Sequence, residues 1–239
     1  MIIPILYQST DIIAINKPSG LVTHSDGRTK EPTLADWVLE NFPQVKGVGE
    51  PITLTSGEII HRPGIVHRLD RETSGVMLIA LTEKGFDLLK GQFQDREIKK
   101  KYHAFVYGIV KEDEGVIDRP IARSRKDFRL WSAQRGGRGE ARDAVTDYKV
   151  LNRNRELDVT FIEASPHTGR THQIRVHFKA INHPIVADSL YAPKREPILG
   201  FKRLALHSRE ITFTTLDREE ITITAPYPED FEVALSSLT

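Results

Sequence analysis

The stretch GIVHRLDRETSGVMLIAL, residues 64–81, holds a charged cluster between two apolar runs. The cluster is HRLDRE, residues 67–72, and TSG at residues 73–75 separates it from the apolar run at residues 76–81. A continuous apolar run of this length is typical of a buried strand. Charged groups beside buried strands are costly unless they are paired or used in chemistry. Composition therefore leaves two interpretations open, a solvated turn between strands or a functional loop.

Helices are predicted on both sides of this stretch. Residues 33–42 form one, with Thr33 at the N-cap position and apolar residues spaced four apart. A second helix follows Thr82, and a third begins at Thr171. The buried faces of the second and third helices are predicted to carry Phe86, Leu89 and Phe93, and Ile174, Phe178 and Ile181, respectively.

Strands are predicted from apolar or alternating runs. They cover residues 12–15, 76–81 and 102–110, two runs within 146–164, and the pair 210–215 and 220–224. Because strands and helices do not alternate regularly, the pattern predicts an α+β fold with a mixed, mainly antiparallel sheet.

Composition narrows the class of protein. The 239 residues are 39% hydrophobic and 28% charged, with a net charge of +1, which is typical of a globular protein. The chain has no cysteine, which excludes disulfides, thiol nucleophiles and cysteine-bound metals. Its first residues carry no basic flank and no long apolar core, so we expect no secretory signal, and no apolar run approaches the ~20 residues of a membrane span. We expect a cytoplasmic monomer with no membrane association.

Four segments, in order along the chain, resemble the motifs of the RluA-type family of RNA pseudouridine synthases. HRLDRETSG at residues 67–75 resembles the motif of the catalytic aspartate, and NKPSG at residues 16–20 resembles the first motif. KKYHAFVYG at residues 100–108 and TGRTHQIRVH at residues 168–177 resemble the tyrosine and arginine motifs. The resemblance covers nearly the whole chain and implies a pseudouridine synthase fold, whose sheet is split by a catalytic cleft.

The resemblance also implies three catalytic residues. Asp70 would be the reacting carboxylate, either as a nucleophile at C1′ or as a base at C2′ of the ribose. Arg175 would pair with Asp70 and keep it ionised and oriented. Tyr102 would stack on the uracil and take part in proton transfer from C5. The reaction requires no metal and no cofactor.

RNA is the implied substrate, either ribosomal RNA or tRNA. The target base must leave its helix before it reacts, and the resemblance gives Arg68 the role of displacing it. Residues 119–142 carry eight Lys or Arg and two Asp or Glu, a local charge of +6. We predict that this segment contacts RNA through Arg123, Arg125, Lys126 and Arg129. A solvated hairpin explains the segment alone equally well.

Three other classes of protein agree less well with the sequence. A metal hydrolase is disfavoured because His167, His172 and His177 are spaced five apart and so lie on different faces of a helix. A retaining glycosidase needs a second carboxylate, and only Glu72 is near in sequence. A non-catalytic RNA-binding protein is the main alternative, but it has no need of Asp70, Tyr102 and Arg175 together.

The resemblance begins at residue 16, so we expect a single catalytic domain over residues 1–239 without a separate N-terminal RNA-binding domain. Target choice would then depend on the catalytic domain itself.

Overall fold

The computed structural model describes residues 1–25, 27, 31–54, 57–125, 127, 129–134 and 137–238. The chain forms two compact units. The first unit contains residues 1–99 and 210–226, and the second contains residues 100–209 and 227–239. No helix within these described ranges is long and apolar enough to cross a membrane.

The first unit is built on three neighbouring antiparallel strands in the order β1-β2-β5. A hairpin of β13 and β14 belongs to the same unit from Glu210 onward. The elements are β1 (Ile5–Gln8), β2 (Ile12–Lys17), α1 (Leu34–Asn41), a 3-10 turn (Pro43–Val45), β3 (Ile52–Thr53), β4 (Ile59–Ile60), β5 (Ser74–Ala80), α2 (Glu83–Gln94), β13 (Leu206–Thr214) and β14 (Glu220–Thr224).

The second unit contains an antiparallel sheet in the order β6-β12-β11-β7. A separate small sheet has the order β10-β8-β9. The elements are β6 (Lys99–Tyr107), β7 (Glu114–Asp118), β8 (Ile121–Arg123), β9 (Trp131–Ser132), β10 (Arg138–Arg142), β11 (Val145–Asn154), β12 (Val159–Pro166), α3 (Gln173–Ala180) and α4 (Glu229–Ser236). The predicted α+β class with a mainly antiparallel sheet is confirmed.

The predicted helix starts at Thr33 and Thr82 are confirmed by their hydrogen bonds. The Thr33 hydroxyl accepts from the Asp36 N–H, and the Asp36 carboxylate accepts from the Thr33 N–H, which forms a capping box. Thr82 accepts from the Gly85 N–H at 3.2 Å. The predicted start of α3 at Thr171 is wrong by two residues. His172 adopts a left-handed conformation, with φ of 56°, so the helix begins at Gln173.

Sequence patterns missed β1, β7, the small sheet and α4. Every residue of β10 is exposed, so no alternation marks it as a strand. In α4 only Phe231 and Ala234 are buried, which gives too narrow an apolar face to recognise over eight residues.

His177 ties α3 to two other parts of the second unit. It is fully buried, and its Nε2–H donates to the Arg119 carbonyl at 3.0 Å. Its Nδ1 lies 2.9 Å from the Thr146 hydroxyl, which itself accepts from Gln173. In the neutral ring, Nδ1 therefore accepts from Thr146. Burial lowers the pKa of His177 below its ordinary value, because the charged ring is poorly solvated there.

We expect the second unit to lose stability in acid through His177. The unfolded chain takes up a proton at the ordinary pKa while the folded chain does not, so this contribution is present above about pH 6.5 and lost below it. Thermal melts from pH 7.5 to pH 5 should show a smaller loss of Tm for His177→Gln than for the wild type. His61→Gln, which alters an exposed ring, serves as the control. Equal slopes for His177→Gln and the wild type would contradict the prediction.

Candidate active site

Asp70 lies in a loop that leads into β5. The loop alternates in exposure, with Arg68 exposed, Leu69 buried and Asp70 half-buried. The Thr73 N–H donates to the Asp70 carbonyl at 3.1 Å and closes a turn just before the strand. Leu69 therefore fixes the loop to the core while the residues on either side of it remain accessible. Predicted roles for Asp70 and Arg68 in chemistry and base displacement stay predictions.

The side chain of Lys17 binds the backbone of this loop. Its side chain is fully buried at the end of β2, although lysine is almost never fully buried without partners. The ammonium group donates to the carbonyls of Pro18 at 2.9 Å, Leu21 at 2.8 Å and Arg71 at 3.2 Å. One cation thus joins the turn that follows β2 to the residue after Asp70.

Three further hydrogen bonds link the same two segments. The Ser19 hydroxyl donates to the Glu72 carbonyl at 2.8 Å, and the Gly20 N–H donates to the Arg71 carbonyl at 2.9 Å. The Thr23 hydroxyl donates to the Leu69 carbonyl at 3.0 Å. The backbone is therefore held on both sides of Asp70. The sequence identified NKPSG by resemblance alone, and this positioning role was missed. A lysine at the end of an apolar strand was the only signal.

His67 supports the start of the loop. Its Nε2 accepts from the Leu78 N–H at 2.9 Å, so that nitrogen carries no proton. The ring stacks on Phe93, with centroids 4.6 Å apart. Among the residues that the structure describes, no group of three histidine or acidic side chains is arranged to hold a metal ion.

Tyr102 lies in the second unit on β6. It pairs in register with Ala164 of β12 and is half-buried, with part of its surface against the core of that unit. Side chains two apart share a face of a strand, so Lys100 lies on the same face as Tyr102. Burial lowers the pKa of Lys100. Tyr102 is thus neither a core residue nor a surface residue, and its predicted catalytic role stays a prediction.

Arg175 is the third residue of α3 and is 6% exposed. Its Nε and Nη2 donate to the two oxygens of Asp188, both at 2.8 Å, in a bidentate pair. Asp188 also accepts from the N–H groups of Leu190 and Tyr191, both at 3.0 Å. The guanidinium carbon lies 5.0 Å from the centroid of the Tyr191 ring.

Asp188 is therefore a site residue that sequence reasoning missed. It ends HPIVAD, residues 183–188, which lies outside the four motifs, and the residue is 1% exposed. Arg175 is therefore a buried residue and not a surface arginine of α3. The predicted pairing of Arg175 with Asp70 stays a prediction.

The basic segment has internal contacts as well as exposed charge. Arg129 makes an ion pair with Asp127, whose pKa the arginine lowers to about 2. The Arg123 guanidinium lies 4.3 Å from the centroid of the Trp131 ring. Arg125 is exposed, and Lys126 lies outside the described residues. RNA binding by these four side chains stays a prediction.

Comparisons with known proteins agree with these motifs. A family model described as RNA pseudouridylate synthase matches residues 11–180. A protein of Aquifex aeolicus named "Uncharacterized RNA pseudouridine synthase" is 41% identical over 82% of this chain and 58% of its own length. A protein of Bacillus subtilis with a similar name is 34% identical over 100% of this chain and 73% of its own length. "Ribosomal large subunit pseudouridine synthase D" of Neisseria meningitidis is 37% identical over 100% of this chain and 62% of its own length.

Solved structures show the same fold. "Human RNA Pseudouridylate Synthase Domain Containing 4" superposes with a TM-score of 0.75 and 28% identity, over 98% of this chain and 92% of that one. "Human RNA Pseudouridylate Synthase Domain Containing 1" superposes with a TM-score of 0.72 and 25% identity, over 95% of this chain and 84% of that one. The chain therefore belongs to the RNA pseudouridylate synthase family, a family of isomerases. It spans 58–73% of the length of the three curated relatives described above.

The bonds from Lys17 can be tested without an activity assay. Lys17→Met keeps an unbranched stem but removes the ammonium donor from the carbonyls of Pro18, Leu21 and Arg71. Within the described residues, only the Arg71 carbonyl keeps another donor, the Gly20 N–H. The cost is about 1–3 kcal/mol for each buried carbonyl left without a donor. We expect faster amide hydrogen exchange across residues 68–73, measured by mass spectrometry, and a lower Tm. Lys46→Met, at an exposed lysine of the same unit, should leave both unchanged. Unaltered exchange in residues 68–73 would show that Lys17 does not hold the loop.

Proposed function

We propose that this chain converts uridine to pseudouridine in structured RNA, with Asp70 as the reacting carboxylate. The observation that carries the proposal is the half-buried Asp70 within a loop whose backbone is fixed on both sides by Lys17, Ser19 and Thr23. Catalytic groups need such support, since a misplacement of about 1 Å can cost 10²-fold in rate. Membership of the isomerase family and the match of residues 67–75 to the aspartate motif support the same assignment.

The reaction breaks the bond from N1 of uracil to C1′ of ribose, turns the base, and joins C5 to C1′. The proton on C5 then leaves and N1 of the base takes up a proton, so the product is an isomer of uridine and no oxidant or reductant is needed. Asp70 takes part either by attack at C1′ or by removal of the C2′ proton. Tyr102 stacks on the base and receives or relays the C5 proton.

Arg175 orients the carboxylate of Asp70 in this proposal. An arginine next to a carboxylate favours the ionised form that both chemical routes require. Asp188 holds the guanidinium plane of Arg175 in one orientation through its bidentate pair, so it acts as a positioning residue. The two units serve as one catalytic domain, and all three predicted catalytic residues act on the same uridine.

Large-subunit ribosomal RNA is the substrate that we propose first. Relatives at 37% identity carry the name "Ribosomal large subunit pseudouridine synthase D". The exposed Arg68 displaces the target base and fills its place in the helix, since a guanidinium plane can stack on bases and bind phosphate. Arg123, Arg125, Lys126 and Arg129 contribute phosphate contacts. The enzyme works as a monomer in the cytoplasm.

The first test replaces the reacting group. Asp70→Asn keeps the size of the side chain and removes its charge, so turnover should fall by at least about 10³-fold. Release of tritium from RNA labelled at C5 of uridine measures turnover, because C5 exchanges its hydrogen for the bond to C1′. Asp87→Asn, at an exposed carboxylate of α2, should keep wild-type activity. Activity of Asp70→Asn near that of the wild type would remove Asp70 from the mechanism.

The second test separates stacking from proton transfer. Tyr102→Phe keeps the ring and loses the hydroxyl, so kcat should fall by about 10²-fold while RNA binding changes little. Tyr7→Phe, at a half-buried tyrosine of the first unit, is the control and should retain full kcat. If Tyr102→Phe weakens binding as much as turnover, or lowers Tm by several degrees, the hydroxyl has a structural role.

A further inference from the structure

Two neighbouring cavities lie on the second unit beside α3. The Trp131 cavity has a volume of about 420 Å³ and is lined by β9, by Val176 and by Lys179. The Tyr191 cavity has a volume of about 400 Å³ and is lined by Tyr191 and by residues 192–195. Gln134 and Lys179 line both, so the two cavities adjoin, and both residues are exposed, so the space is open to solvent. None of the predicted catalytic residues lines either cavity.

Hydrogen bonds and apolar contacts hold the walls of these cavities together. Tyr191 is 3% exposed, and its hydroxyl accepts from the Trp131 N–H at 3.0 Å and lies 2.9 Å from His172 Nδ1. Ile121 and Val176 pack with Tyr191 in a small apolar cluster, against which Trp131 rests. The small sheet and α3 are thus joined, and the cavities are preformed in the way that ligand sites usually are.

The charge of the lining is of one sign. Arg125, Lys179, Lys194 and Arg195 contribute four cations. Among the described residues that line the two cavities, none is Asp or Glu. Four cations without a compensating carboxylate in the lining favour an anionic ligand, and phosphate is the group that lysine and arginine bind most readily in nucleic acids.

The rest of the lining suits a nucleobase. Trp131 lines the cavity with its indole, over which the Arg123 guanidinium also lies, and Ser132 and Gln134 offer hydroxyl and amide groups that can both donate and accept hydrogen bonds. Unpaired bases of RNA bind in this way, with an aromatic ring against the base and polar side chains at its edge. A paired base exposes neither its faces nor its Watson–Crick edge, so the recessed cavities do not suit a duplex.

We propose that the Trp131 and Tyr191 cavities together bind one unpaired nucleotide of the RNA substrate, distinct from the uridine that is isomerised. This site deepens the proposed function and rests on its premise that the chain acts on RNA. Binding there gives the enzyme a contact that depends on an unpaired position in the RNA, and so contributes to target choice.

Trp131 provides the readout for a binding experiment. The chain has two tryptophans, and Trp37 is buried in the first unit, so Trp37→Phe leaves Trp131 as the sole indole. Single-stranded hexauridylate is titrated into Trp37→Phe with Asp70→Asn added, so that no reaction occurs. We expect saturable quenching of fluorescence. If Trp37→Phe does not fold, judged by circular dichroism, the difference between wild type and Trp131→Phe gives the same signal.

Charge reversal tests the phosphate contact. Lys179→Glu should weaken hexauridylate binding by about tenfold and reduce the slope of log K against log salt by about 0.7, the value for one phosphate of a single strand. Lys202→Glu makes the same charge change at an exposed lysine of the second unit that lines neither cavity, and should leave affinity nearly unchanged. Equal weakening by both variants would overturn the site in favour of a general effect of charge.

Two further ligands identify the source of the nucleotide. Uridine monophosphate should bind at least tenfold more weakly than hexauridylate, and an RNA duplex of equal length should not quench Trp131. If uridine monophosphate binds as tightly as hexauridylate, the cavities take free nucleotides. If the duplex quenches Trp131 as much as hexauridylate does, the cavities bind only the RNA backbone. Either result overturns the proposal. If hexauridylate does not quench Trp131 while the wild type still forms pseudouridine, only this site is overturned and the proposed function stands. Quenching without any pseudouridine formation supports the site and contradicts the proposed function.

Discussion

The loop that carries Asp70 depends on the hydrogen bonds of the buried Lys17 ammonium group. A lysine removed from water must have its donors satisfied, and three backbone carbonyls at 2.8–3.2 Å satisfy this one. Because one of these carbonyls belongs to Arg71, the charge that would be costly alone fixes the residue next to Asp70. Ser19 and Thr23 add hydrogen bonds to carbonyls on either side of it. A half-exposed carboxylate thus sits on a backbone with little freedom.

The second unit also contains a buried cation whose donors are satisfied, but there the partner is a carboxylate. Arg175 and Asp188 are both buried, and each would be costly without the other. The bidentate geometry and the two N–H groups that donate to Asp188 keep the guanidinium in one plane. Tyr191 then lies against the guanidinium and, through its hydroxyl, against the small sheet. Tyr191 therefore links Arg175 to the basic segment, residues 119–142.

Local sequence gave most of the regular elements of this fold. The capping threonines at residues 33 and 82 marked helix starts correctly because a cap depends on contacts within four residues. The strand at residues 220–224 was predicted to the residue. The start of α3 was placed two residues early, because the left-handed backbone of His172 ends the preceding turn. The small sheet was missed, since its fully exposed β10 leaves no apolar pattern.

For the candidate site, too, the sequence predicted one part and the tertiary structure decided the other. The sequence by itself predicted which side chains act, namely Asp70, Tyr102 and Arg175, because each stands in a motif that resembles one of the family. Only the tertiary structure decided what holds them. The contacts between Lys17 and Arg71, between Arg175 and Asp188, and between Trp131 and Tyr191 join residues 54, 13 and 60 positions apart. Such partners depend on how strands and helices pack, and no periodicity along the chain records that packing.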